Sequence, residues 1–153
     1  MTFSEDPSSV QAIVVTITVA QNQVLHLMLD DAGGIRRQGT GKLECAEGDL
    51  LIGATTPKVF AALIDTLPEN LLAQAGRYCS RNTREGVSAT LNILFQCKGT
   101  VAEFEFQYGS ISPKLPQVVQ KLVADMIDLT NPWYEKHKAN VRFRSTSSEI
   151  NYT

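Results

Sequence analysis

Four stretches of the chain alternate apolar and polar side chains with a period of two, and this periodicity restricts the fold more than any other feature. Residues 12 to 20, AIVVTITVA, set Ile13, Val15, Ile17 and Val19 against Val14, Thr16 and Thr18. Such β-branched alternation requires an extended strand. After a polar turn at Gln21-Asn22-Gln23, residues 24 to 29, VLHLML, alternate Leu25, Leu27 and Leu29 against Val24, His26 and Met28, which predicts an antiparallel hairpin. Residues 87 to 96 and 100 to 108 repeat the arrangement. Ala89, Leu91, Ile93, Phe95, Ala102, Phe104, Phe106 and Tyr108 fall on a dry face, and Thr90, Asn92, Leu94, Gln96, Glu103, Glu105 and Gln107 on a wet one.

Between the hairpins the period changes. Asp30-Asp31-Ala32-Gly33-Gly34 reads as a turn, Ile35 to Gln38 as a third strand, and LECAEGDLLIGA as one or two short strands around Gly48. In TTPKVFAALIDTLPENLLAQAG, Thr56 is placed to cap and Pro57 to occupy the first helical position. Val59, Phe60, Leu63, Ile64 and Leu67 then form a helical stripe, and Pro68 ends it or begins a second short helix. Residues 77 to 86, RYCSRNTREG, read as a polar, basic loop.

The strongest helical signal runs from Pro116 to about Leu129, where Val118, Val119, Leu122, Val123, Met126 and Ile127 recur at i, i+3, i+4 and i+7. Asn131-Pro132 resets the chain into a last helical turn, WYEKHK. The segment from Ala139 reads as a loose polar tail in which VRFR offers an edge strand. The expected architecture is α+β: a mainly antiparallel sheet built from two hairpin units, each followed by an amphipathic helix packed on one sheet face. One domain over residues 1–138 and a tail over 139–153 are the expected boundaries.

A length of 153 residues, 43% hydrophobic content and a formal charge of -2 fit one soluble globular domain able to bury a core without disulfides or a structural metal. The N-terminal MTFSEDPSSVQ lacks a basic region followed by an apolar one, and no apolar run approaches the roughly 20 residues of a membrane helix. A cytoplasmic location and no membrane partner are therefore expected. Cys45, Cys79 and Cys97 are odd in number and widely spaced, which indicates neither a disulfide framework nor a zinc site. Residues 1 to 76 carry four basic and nine acidic side chains (net -5), and residues 77 to 153 carry ten and seven (net +3), a polarity able to orient a partner or a second copy.

The stretch LDDAGGIRRQGTGK invites comparison with a phosphate-binding loop. That motif needs a glycine where Arg36 stands and a hydroxyl where Leu43 stands, followed by a helix, because backbone amides and a helix N-terminus surround the phosphates. A dinucleotide fingerprint fails likewise at Glu44. His26 lies in an alternating strand and His137 within KHK, each without a nucleophile or carboxylate in motif spacing, so no catalytic residue is assigned. The acidic set Asp30, Asp31, Glu44, Glu47 and Asp49 lacks calcium-loop spacing, and Glu103 with Glu105 reads as solvated strand charge, so neither a metal nor another cofactor is assigned. Arg77, Tyr78, Arg81 and Arg84, with Lys136, Lys138, Arg142 and Arg144, are the basic candidates for phosphate contact. A sequence pI of about 5.7 and the absence of an RRM, KH or helix-turn-helix pattern argue against that use. Trp133 and Tyr134 are either core anchors or a hot spot for a protein partner.

In order of features, DDAGGIRRQGTG, VFAALIDTL, FEFQYGSISPKLPQVVQKLVADMI and NPWY, the chain resembles an uncharacterised bacterial family of small α+β domains over about residues 12 to 134. The resemblance implies a fold and no activity. With no catalytic constellation, the expectation is a non-enzymatic binding protein, like small immunity or inhibitor proteins, that contacts another macromolecule or self-associates. Its candidate contact residues are Asp30, Asp31, Arg36, Arg37, Glu47, Asp49, Arg77, Tyr78, Arg81, Arg84, Trp133 and Tyr134. The competing expectation is a small-molecule binder or enzyme with a pocket between the long helix and the sheet, lined by Phe104, Phe106, Tyr108 and Met126. A third is a homo-oligomer with a structural role.

Overall fold

A computed structural model describes residues 9–40, 50–79, 88–109 and 115–151. The fold is α+β, with a seven-stranded, mostly antiparallel sheet and two α-helices among the described residues. In chain order the strands are β1 (Val10–Val19), β2 (Asn22–Asp30), β3 (Gly34–Gln38), β4 (Leu51–Ala54), β5 (Gly76–Cys79), β6 (Ser88–Cys97) and β7 (Thr100–Gly109). Helix α1 (Pro57–Asp65) follows β4 and helix α2 (Gln117–Asn151) follows β7. Across the sheet the order is β4-β3-β2-β1-β6-β7-β5. Four consecutive strands thus form a meander before α1, and β1 lies at the centre, paired with β2 on one side and β6 on the other.

Each hairpin turns where its sequence permits. In β1–β2 the reversal uses two residues, Ala20 and Gln21, with φ of 51° and 67°. Two-residue hairpins favour this left-handed pair because it matches strand twist, but an L side chain there costs about 1 to 2 kcal/mol. Replacing Ala20→Asn together with Gln21→Gly should therefore raise stability by about 1 kcal/mol, read as a shift in the urea midpoint. An unchanged or lower midpoint would show that the turn is not strained.

Period-two alternation places Ile13, Val15, Leu25, Leu27, Leu29, Ile35, Leu91, Ile93, Phe95, Ala102, Phe104 and Phe106 on one face, where all are buried in the core. Both helices cover this face: Phe60 and Leu63 of α1 and Val119, Leu122 and Met126 of α2 enter the same cluster. Within it Phe95 meets Phe104 edge-on at 5.7 Å, and Phe104 stacks with Phe106 at 6.1 Å. Such aromatic pairs add about 1 kcal/mol beyond their buried area.

Several sequence expectations are corrected. Residues 76–79, expected as the start of a loop, form edge strand β5, which pairs parallel to β7. Thr56 occupies the N-cap of α1 but makes no side-chain capping bond, so Pro57 at the first turn marks the start alone. After Pro68 the chain makes only a short 3-10 turn, Leu72–Gln74. Helix α2, expected to stop near Leu129, passes through Pro132 and continues where a loose tail or an edge strand was expected. Proline removes one N–H and disfavours the preceding turn. That turn is supplied with other donors: the Thr130 hydroxyl donates to the Met126 carbonyl at 2.7 Å, and Arg37 donates to the Ile127 carbonyl at 3.3 Å.

Candidate functional site

Arg36 and Arg37 are successive strand residues and so lie on opposite faces of the sheet. Arg37 is in register with Leu27 and Leu51 and enters the covered face, where it is 1% exposed. Its Nη1 donates to Thr130 Oγ1 at 2.9 Å, its Nε donates to the Gly39 carbonyl at 3.2 Å, and the guanidinium carbon lies 4.3 Å from the centre of the Tyr134 ring. The Gly39 amide in turn donates to the Tyr134 hydroxyl at 3.0 Å, and Lys138 Nζ lies 4.8 Å from the same ring. This cluster ties β3 to α2 from within. Arg37 and Tyr134, expected as contact residues, are therefore interior ties, because the Arg37 Nη1 and the Tyr134 hydroxyl find their partners across the two elements.

The remaining candidates scatter. The Asp30 carboxylate accepts the Ala32 and Gly34 amides at 3.0 and 2.7 Å and so shapes the β2–β3 turn, while Asp31 is exposed beside it. At the far edge of the sheet, Arg77 is exposed with its Nε 3.8 Å from Glu105 Oε2. Tyr78 stacks on Phe106 at 5.1 Å and its hydroxyl donates to the Gln74 carbonyl. Trp133 is half-buried, rests against the bare Cα of Gly53 on β4, and stacks with His137 at 4.2 Å. Glu47, Asp49, Arg81 and Arg84 lie outside the described residues.

Between α2 and the sheet, one gap among the described residues is closed. Leu71, Ile93, Phe95, Phe104, Val119 and Leu122 close around a gap without room for a water molecule. An outer cleft of about 210 Å³ lies at Gly76, Arg77, Glu103 and Glu105, on the β5 edge. Among the described residues no cluster of three or more His, Cys, Asp or Glu side chains is placed to hold a metal ion. Nor is any described helix long and apolar enough to cross a membrane.

What the geometry does assemble is the other sheet face, which neither helix enters in the core cluster. Register aligns two rows there. One runs Ile52, Arg36, Met28, Val14, Leu94, Glu103, with an apolar centre, a cation toward one end and a carboxylate at the other. The adjacent row runs Gln38, His26, Thr16, Asn92, Glu105, Arg77 and is polar throughout. Met28 is buried yet stands apart from the core cluster, while Ile52 and Val101 on this face are 69% and 47% exposed.

Within the polar row His26 Nδ1 lies 3.4 Å from Thr16 Oγ1. Burial, and to a lesser degree the nearby Arg36 guanidinium, lowers the His26 pKa below that of a free imidazole, because each disfavours the charged ring. The Asn92 Oδ1 is buried without a hydrogen-bond partner among the described residues. A buried amide oxygen left unmatched costs on the order of 1 to 3 kcal/mol. Sequence reasoning named only Arg36 of the first row and Arg77 of the second as contact residues. The rows depend on the β1–β6 pairing, which joins distant parts of the chain and leaves no local pattern.

No protein-family model, curated protein or solved structure matches this chain.

Proposed function

We propose that the protein is a non-enzymatic cytoplasmic binding protein that meets a macromolecular partner through the helix-free face of its sheet. The carrying observation is that face itself: apolar Met28, Val14 and Leu94 flanked by Arg36 and Glu103, beside a row of polar side chains. Contact surfaces combine an apolar centre with a polar rim in this way. The closed gap at Leu71, Ile93, Phe95, Phe104, Val119 and Leu122 favours surface contact over a small ligand held at that point.

The test is photocrosslinking in low-salt lysate with a benzophenone side chain installed at Thr90 or Val101 on the helix-free face, compared with one at Lys121 on α2. Covalent adducts are expected from the two sheet positions and not from Lys121. Equal labelling at all three positions, or none at the sheet positions, would sink the reading. Added salt should reduce the yield, because exposed charges are screened beyond about 10 Å at 0.1 M.

A further inference from the structure

We infer that the partner of the helix-free sheet face is a second copy of this chain, in a two-fold face-to-face dimer whose axis runs along β1. This inference rests on the binding role assigned to that face. Strand order places β2 and β6 one strand from β1, and β3 and β7 two strands away. A two-fold axis lying along β1 in the contact plane exchanges the two sides. It sets Arg36 over Glu103 of the other copy, Met28 over Leu94 and Val14 over itself. The same operation in the polar row sets Gln38 over Glu105, His26 over Asn92 and Thr16 over itself.

Two observations favour this occupant. The face is self-complementary in charge, as an isologous interface requires: the basic side of the apolar row meets the acidic side of its copy. The alternative axis, perpendicular to the strands, brings each strand onto its own copy, stacking Arg36 toward Arg36 and the β7 carboxylates toward each other, which costs energy.

The dimensions suit a dimer. Strands spaced about 4.8 Å apart and same-face residues about 6.8 Å apart make the patch from β3 to β7 roughly 600 Å² in plan. A standard interface buries about 800 Å² per partner, a size the projecting side chains bring within reach. Two sheets stacked about 10 Å apart keep Arg36 and Glu103 within side-chain reach, also when the axis tilts by about 15° from β1 to give the roughly 30° crossing of aligned sheets.

Sedimentation equilibrium at micromolar concentration tests the inference, using the full chain. The wild type is expected to be a dimer. Arg36→Glu and Glu103→Arg should each weaken it about tenfold or more, and the two together should restore it, as expected for a directly paired set. Both residues are exposed, so circular dichroism and the thermal midpoint should match the wild type in all three variants. A monomeric wild type, or a dimer indifferent to the single swaps or not restored by the double one, overturns the inference. A monomer that still crosslinks to a different chain through Thr90 or Val101 overturns it while leaving the binding role intact. A monomer with no such crosslink overturns both.

Discussion

Arg37→Ala should destabilise the protein by about 3 to 5 kcal/mol, because it leaves buried acceptors unmatched and a large cavity where a fully buried side chain stood. The substitution removes the donor to the Gly39 carbonyl, to the Ile127 carbonyl and to Thr130, together with the cation on the Tyr134 ring. It also leaves a void in a face that is otherwise closed. Arg37→Met, which refills the volume with an unbranched apolar chain, should recover part of the loss, because well-packed apolar substitutes often replace buried charge at little cost. Urea denaturation gives the result directly, as a lower midpoint at unchanged slope. An alanine variant within 1 kcal/mol of the wild type would show that Arg37 is not the tie between β3 and α2.

Gly39→Ala should cost at least about 3 kcal/mol, through a combination of backbone and steric terms. The residue has a φ of 86°, and an added Cβ would stand 2.2 Å from the Val24 carbonyl oxygen, a backbone atom that cannot rotate away. Gly99→Ala is the matched control. Its φ is 74°, but the added carbon meets nothing within 4 Å, so only the conformational penalty of about 1 to 2 kcal/mol applies. The difference between the two, measured by denaturation, isolates the clash. Equal losses would mean that β3 shifts to accommodate the methyl group. Since Arg37, Gly39 and Tyr134 touch one another, double variants among them should fall short of additivity.

Much of this arrangement is legible in single residues. The alternation of β1, β2, β6 and β7 follows directly from side-chain period, and the opposition of Arg36 and Arg37 follows from strand geometry. The parity that places Arg37 beside Ile35 also places it on the apolar side. Its burial is not legible locally, because an arginine goes inside only with partners, and those of Arg37 lie ninety or more residues away. In α2, Val119, Leu122, Met126, Thr130 and Tyr134 form one buried stripe, and following its spacing would have carried the helix past Pro132. Pro132 and Asp128 are exposed, so the carbonyl deprived of its donor faces water and the interruption is inexpensive. Strand β5 has too few residues to show a period, and its parallel pairing with β7 depends on tertiary context. The rows of the helix-free face were hidden for the same reason: each strand shows its own alternation, but only register says which side chains become neighbours.

The bond between Arg37 and Thr130 spans 93 residues of chain, joining a strand from the first third of the sequence to a helix in the last. A segment held only by its own hydrogen bonds can open alone, whereas one whose buried donor belongs to a distant element opens when that element does. The β3 strand and the middle of α2 therefore belong to a single cooperative unit. Fraying at one is resisted by the other, and the two distant parts of the chain share one protection against solvent exchange.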